Sequence, residues 1–384
     1  MLHNGHMIDQ QSSDHKLATI QYLRALAALS VVFFHANGLA QENFRNQWSS
    51  FGAVGVDVFF VISGFVMWVT TSSAEPSPLH FLRNRIIRVV PLYWLVTIVV
   101  FVSAYAFRGG DHYRATASEF VQSLLFIPFV SGRTHEIQPI LIAGWTLNFE
   151  MFFYAVFALM LRLPRNYRAA TVAVVLGALV VLGLAAPSAN PVYNTFTSPL
   201  LIEFLLGCLL GLLYKRGALP RRPVAVALLM LGAVLMLFDQ ETQAVEIGLG
   251  RLVHWGLPAF FLVVGAPSME PIAKPNRILL LLGVASYAIY LIHTIVMASV
   301  KDAVAAGWLG ERLASAEMFL PAACIAGVVA GLVAYSSLPS VCSAQIGSLE
   351  QRARRFVARA SNSPTRSAML LRPPSVPCPP AVEV

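Results

Sequence analysis

The sequence predicts an all-α fold: a polytopic transmembrane helical bundle of about ten spans, with both termini cytoplasmic. Three observations predict it. Of the 384 residues, 57% are hydrophobic and only 12% are charged, about half the charge of an ordinary soluble domain. The mean hydropathy of +0.67 is too high for a surface that faces water. The chain also divides into ten apolar stretches near the ~20 residues a helix needs to cross the hydrocarbon layer, and its Lys and Arg gather unevenly between them.

The first span, 18–39, contains YLRALAALSVVFFH. Arg24 and His35 interrupt its apolar run, which argues against a cleaved signal peptide. The second, 52–70, holds GVDVFFVISGF, and the third, 89–107, follows the basic lead FLRNRIIRVVPLYW. The apolar piece 120–130 is too short to cross and reads as an interfacial or re-entrant part of the loop before the fourth span, 143–161, which contains GWTLNFEMFFY. Spans five and six cover 169–186 and 197–214. In the sixth, Gly207 and Gly211 lie one turn apart, a spacing that favours close helix packing. Spans seven and eight, 223–238 and 250–267, are short. The ninth, 278–298, carries SYAIYLIH, and the tenth is 317–338.

With ten spans the termini share a side, and that side holds 19 of the 27 Lys and Arg. Seven, Arg251 among them, fall on the other side, and Arg24 lies within a span. Cytoplasmic loops carry such an excess, so the net charge of +8 is a topology signal and not a nucleic-acid footprint. Three segments are expected: a cytoplasmic segment 1–17, a transmembrane domain 18–338, and a basic, Pro/Ser-rich, partly disordered cytoplasmic tail 339–384. Cys208, Cys324, Cys342 and Cys378 have no metal-ligand spacing, and no metal is expected.

Ionisable groups within spans cost about 2.5–3.5 kcal/mol each at the helix centre, so they face a polar cavity or a partner. Here they are Arg24, His35, Asp57, Glu150, Glu203 and His293. Eleven residues of helix leave Arg24 and His35 only about 20° apart in azimuth and about 16 Å apart along the axis, one polar stripe on one face. By depth, His35, Asp57, Glu150 and His293 converge in the outer half of the membrane. Ser286, Tyr290 and His293 share a face. Asn148 and Glu150 lie about 200° apart, and face one cavity only where that turn is unwound.

Taken together, Arg24-x10-His35, GVDVFFVISGF at 55–65, FLRNRIIRVVPLYW at 81–94, GWTLNFEMFFY at 144–154, EFLLGCLLG at 203–211 and SYAIYLIH at 286–293 resemble membrane-bound acyltransferase family 3, in its exopolysaccharide O-acetyltransferase-like branch. The resemblance covers 18 to about 338. It implies ten spans and transfer of an acyl group, usually acetyl, from cytoplasmic acyl-CoA to a hydroxyl of an extracytoplasmic or lipid-linked saccharide. It also implies that Arg24 and His35 are the family's arginine–histidine motif, and that Asp57, Arg85, Arg88, Glu150, Tyr287 and His293 match its other recurring polar positions. Ser337 departs from the pattern, where the family often closes its last span with Glu-x-Pro.

O-acyl transfer needs a base, an oxyanion donor and a seat for the CoA phosphates. His35 is the expected base, since imidazole titrates near neutral pH. Glu150 or Asp57 would orient its ring, and the sequence leaves open which. Asn148, Tyr290 or His293 would donate to the oxyanion. Arg83, Arg85, Arg88 and Arg24 would hold the phosphates of acetyl-CoA, the expected acyl donor. Trp145, Tyr287 and Tyr290 would line the substrate. Acyl-CoA, a saccharide or lipid-linked sugar acceptor, membrane lipid and a polysaccharide-synthesis complex are the expected partners, in the cell's inner membrane. The rival reading is a saccharide transporter or flippase, though no repeat relates the two halves of the chain.

Overall fold

A computed structural model describes residues 18–41, 52–106, 114–238, 248–270, 275–308 and 316–337. The expected segment 1–17 and tail 339–384 lie outside the described residues. Twelve helices carry the fold: α1 (Ala18–Gln41), α2 (Gly55–Ala74), α3 (Pro78–Ala106), the short α4 (Ala117–Leu124), α5 (Trp145–Met160), α6 (Arg165–Ala185), the short α7 (Pro191–Phe196), α8 (Leu201–Lys215), α9 (Arg222–Phe238), α10 (Leu249–Met269), α11 (Arg277–Ala305) and α12 (Ala316–Ser337). Among the described residues nine helices are long and apolar enough to cross a membrane, counting α7 and α8 together, and α9 is a shorter apolar helix. There is no strand among the described residues, and Val130 with Ile137 forms one isolated bridge. The outside is greasy: on α6, Val174 and Val181 are 67% and 64% exposed, a surface that lipid solvates and water does not.

Two boundaries matter for the chemistry. The third span begins at Pro78 and not near residue 89, so Arg83, Arg85 and Arg88 sit on helix α3 and not in a loop. The apolar piece before the fourth span is helix α4, opened by a capping box between Thr116 and Glu119. It is tied to α3 through Tyr93 and Trp94, whose side chains donate to the carbonyls of Ser123 (3.0 Å) and Leu124 (2.8 Å).

Small residues set the closest helix contacts. On the α2–α8 face, a Cβ on Gly64 would come 2.1 Å from the Phe204 carbonyl oxygen, and one on Gly207 would come 2.1 Å from that of Val61. A Cβ on Gly211 would come 2.7 Å from the Trp68 side chain and 3.1 Å from the Phe65 carbonyl oxygen. Only glycine allows backbones to approach so nearly. The same device joins α1 to α11, where a Cβ on Gly283 would come 2.2 Å from the Gln21 carbonyl oxygen. A backbone oxygen cannot move aside as a side chain can. Gly283→Val is therefore expected to push α11 off α1 and to lower the melting temperature of the detergent-solubilised protein. Thermal unfolding followed by tryptophan fluorescence checks this.

One long-range contact seats α1. Glu270, just past α10, accepts from the amides of Ala18 (2.9 Å) and Thr19 (3.0 Å) and from the Thr19 hydroxyl. It supplies from 251 residues away the cap that the helix start needs.

Candidate active site

Helices α1 and α11 run parallel, because their contacts advance together. Gln21 faces Gly283, Arg24 Nη2 donates to Ser286 Oγ at 3.0 Å, and His35 meets His293. The stripe on α1 recurs on α11: Ser286 and His293 are seven residues apart, which again leaves about 20° between them. Arg24 and His35 are half-buried, and His293 is fully buried.

Hydrogen-bond partners assign the imidazole protons. His293 Nδ1 lies 3.1 Å from the Ile289 carbonyl, which can only accept, so this nitrogen carries the hydrogen. Its Nε2 is then the lone-pair nitrogen of a neutral ring, 3.2 Å from His35 Nδ1. His35 Nδ1 in turn lies 3.0 Å from the Val31 carbonyl and must donate. The hydrogen on His35 Nδ1 faces both acceptors, and His35 Nε2 is left as the basic lone pair. The ring centroids are 4.9 Å apart.

Beside the pair is a hydroxyl group cluster. Tyr290 OH lies 3.0 Å from Thr146 Oγ1, and both hydroxyls reach the Ala143 carbonyl at 3.1 Å. Ala143 belongs to a 3-10 turn, Ile142–Gly144, that leads into α5. The Tyr290 and His293 rings stand 6.0 Å apart.

The other expected residues separate into two groups. Glu150 accepts from Ser63 Oγ at 2.9 Å and from the Tyr154 hydroxyl, and belongs to one electrostatic cluster with Arg24, Arg85 and Arg88. Arg85 also lies over the rings of Phe81 (5.3 Å) and Tyr154 (5.8 Å). Arg83, about 200° round α3 from Arg85, is exposed and stands apart. Tyr287 donates to the Val89 carbonyl at 2.7 Å and so ties α11 to α3 next to Arg88. Asp57 is fully buried and clasped by Arg251, with Nε to Oδ1 and Nη2 to Oδ2 each at 2.9 Å. Neither Glu150 nor Asp57 is hydrogen-bonded to His35. The group facing His35 Nδ1 is His293. Helix α5 is regular from Trp145 onward, so Asn148 points away from Glu150; it is buried and no donor among the described residues reaches its Oδ1.

Sequence reasoning passed over Ser63, Tyr154 and Arg251. Tyr154 could have been found, since it lies one turn from Glu150. Arg251 could not: it reads as an outer loop charge, and its partner is 194 residues away. Among the described residues no group of three or more His, Cys, Asp and Glu side chains is placed to hold a metal ion.

A family model described as an acyltransferase domain matches residues 17–337. The exopolysaccharide production protein ExoZ of Rhizobium meliloti is 38% identical over 317 residues, 80% of this chain and 93% of ExoZ. BcsY of Komagataeibacter xylinus is 28% identical over 300 residues, 71% of each chain. The O-acetyltransferase OatA of Staphylococcus aureus is 25% identical over 320 residues, 74% of this chain and 51% of OatA. No solved structure matches significantly.

Proposed function

The chain belongs to the acyltransferase family whose domain it matches over 17–337, as a multi-pass membrane protein, and from that premise we propose that it moves an acetyl or other short acyl group from cytoplasmic acyl-CoA to a hydroxyl of an extracytoplasmic or lipid-linked saccharide. The observation that carries this reading is the alignment of two contacts along one helix pair. Arg24 with Ser286 lies towards one end, beside the arginine cluster, and His35 with His293 lies towards the other. The names of ExoZ and OatA support a saccharide context and O-acetyl chemistry.

In this reading His35 Nε2 takes the proton of the acceptor hydroxyl as its oxygen attacks the thioester carbonyl. His293 Nε2 accepts from His35 Nδ1 and stabilises the imidazolium, the role a carboxylate plays in a triad. The Tyr290 or Thr146 hydroxyl would serve as oxyanion donor by turning its single hydrogen from the Ala143 carbonyl toward the developing charge. When the tetrahedral adduct collapses the C–S bond breaks, and His35 returns the proton to the thiolate. The products are an O-acyl ester and free CoA thiol.

Three guanidinium groups share one carboxylate, Glu150, at the other end of the stripe. The excess positive charge suits the phosphates and diphosphate of CoA, which Arg holds in bidentate fashion. The Arg24→Ala and Arg88→Ala proteins are expected to bind acetyl-CoA at least about tenfold more weakly, one charge-assisted hydrogen bond's equivalent. Calorimetry on purified protein checks this, and unchanged affinity in both would move the phosphates elsewhere. Mass spectrometry of surface glycans with and without the gene tests the function as a whole. Loss of one acetyl unit supports it, and unaltered glycans with normal protein levels reject it.

A further inference from the structure

A second buried charge cluster takes no part in that scheme. Asp57, in the first turn of α2, and Arg251 together form a neutral pair joined by two hydrogen bonds. Glu203, in the first turn of α8, is also fully buried, yet no N–H or O–H donor among the described residues reaches either of its carboxyl oxygens. The charged groups that face it are the Asp57 carboxyl, within hydrogen-bonding reach, and the Arg251 guanidinium. Another side is closed by backbone, since a Cβ on Gly256 would come 2.7 Å from Glu203 Oε1. Gly256 ends a π-helical segment, Leu252–Gly256, that begins directly after Arg251. That widened turn packs against the Glu203 carboxyl through Gly256, and such turns often mark functional sites.

An ionised Glu203 would be an anion with no hydrogen bond, in contact with a second carboxylate, out of reach of water. Each of these opposes the charge. Two carboxyls at such range hold one proton between them, and the positive helix N-termini on which they sit favour one shared anion. Among the described residues two carboxyl groups meet here, and no group of three or more His, Cys, Asp and Glu side chains is placed to hold a metal ion.

We propose that Asp57 and Glu203 share one resident proton, with Glu203 a neutral carboxylic acid that donates to Asp57, and that this acid–carboxylate–guanidinium triad positions the wall of the acyl-transfer site. The link runs through aromatic rings. The Arg251 guanidinium lies over Trp145 at 5.5 Å and Trp255 at 4.7 Å. Trp145 opens α5 directly after the turn whose Ala143 carbonyl holds Tyr290 and Thr146. Without the proton, the guanidinium is drawn toward a second carboxylate and away from Trp145. The positioning half rests on the function proposed above; the shared proton does not.

Infrared spectra of the purified full-length protein in lipid nanodiscs at neutral pH read the proton directly. The expected result is a carbonyl band of a protonated carboxylic acid in an apolar setting, present in the wild type and lost in Glu203→Gln. The O-acetyl content of surface glycans reads the positioning. Glu203→Gln, whose amide can donate as the acid does, is expected to keep it. Glu203→Leu, which cannot, is expected to lower it about tenfold, one hydrogen bond's worth. Absence of the band in the wild type, or its survival in Glu203→Gln, overturns the shared proton. Stabilisation of the wild type, but not of Glu203→Gln, by sodium or potassium ions overturns it as well, in favour of a bound cation. A band that behaves as expected, with acetylation lost in Glu203→Gln, overturns the positioning role alone.

Discussion

A His35→Ala protein is expected to reach the membrane at normal levels and to transfer acyl groups at least about 100-fold more slowly, the low end of what a positioned general base contributes. The side chain is half-buried and its Nδ1 is held by Val31 and His293, so its removal strips no large core. What is lost is His35 Nε2, the nitrogen of the histidine pair that these hydrogen bonds leave with its lone pair. His293→Ala is expected to cost less, because His293 orients and stabilises and does not itself take the proton. Glycan O-acetyl content normalised to membrane protein measures both. Retained acetylation in His35→Ala would remove the imidazole from the chemistry.

Arg251→Ala is expected to give the largest loss of stability among single substitutions of charged residues. Truncating one partner of a buried ion pair costs roughly 3–5 kcal/mol, because the other charge stays behind unmatched. Here Asp57 would be that charge, at 0% exposure. Thermal unfolding of the detergent-solubilised protein, followed by tryptophan fluorescence, measures it; a melting temperature equal to that of the wild type would refute it. The exposed ion pair of Arg165 with Glu75 is the control. Its hydrogen bond holds the Glu75 carboxyl below the usual carboxylate range. Any stability it adds is therefore present at neutral pH and fades as pH falls through that lowered value. Water screens this pair, so Arg165→Ala should leave the melting temperature nearly unchanged.

Much of the site's geometry follows from local spacing. Helical periodicity alone places Arg24 and His35 on one face, and Ser286, Tyr290 and His293 on another. Depth alone places both histidines towards the same end of the bundle. The structure lays the two faces together, which spacing cannot do. Depth was a poor guide for Asp57 and Glu150: Glu150 joins Arg24, Arg85 and Arg88 at the other end of the stripe from His35, and Asp57 pairs with Arg251. Which helices become neighbours, and not depth read along one span, decides which side chains meet. The same holds on α3, where Arg83 parts from Arg85 and Arg88 once the segment is helical and not a loop.

By itself the sequence determined that the chain is a bundle of about ten membrane helices, because hydropathy and 3.6-residue periodicity are properties of contiguous residues. It also determined which family the chain resembles. Only the tertiary structure decided the partners: His293 for His35, Arg251 for Asp57, and Glu270 for the start of α1. Each contact joins residues about 200 or more positions apart, and depends on which helices the glycine-faced surfaces bring together. Helix neighbours in a bundle are chosen by backbone fit across the interface, and no local pattern records that fit.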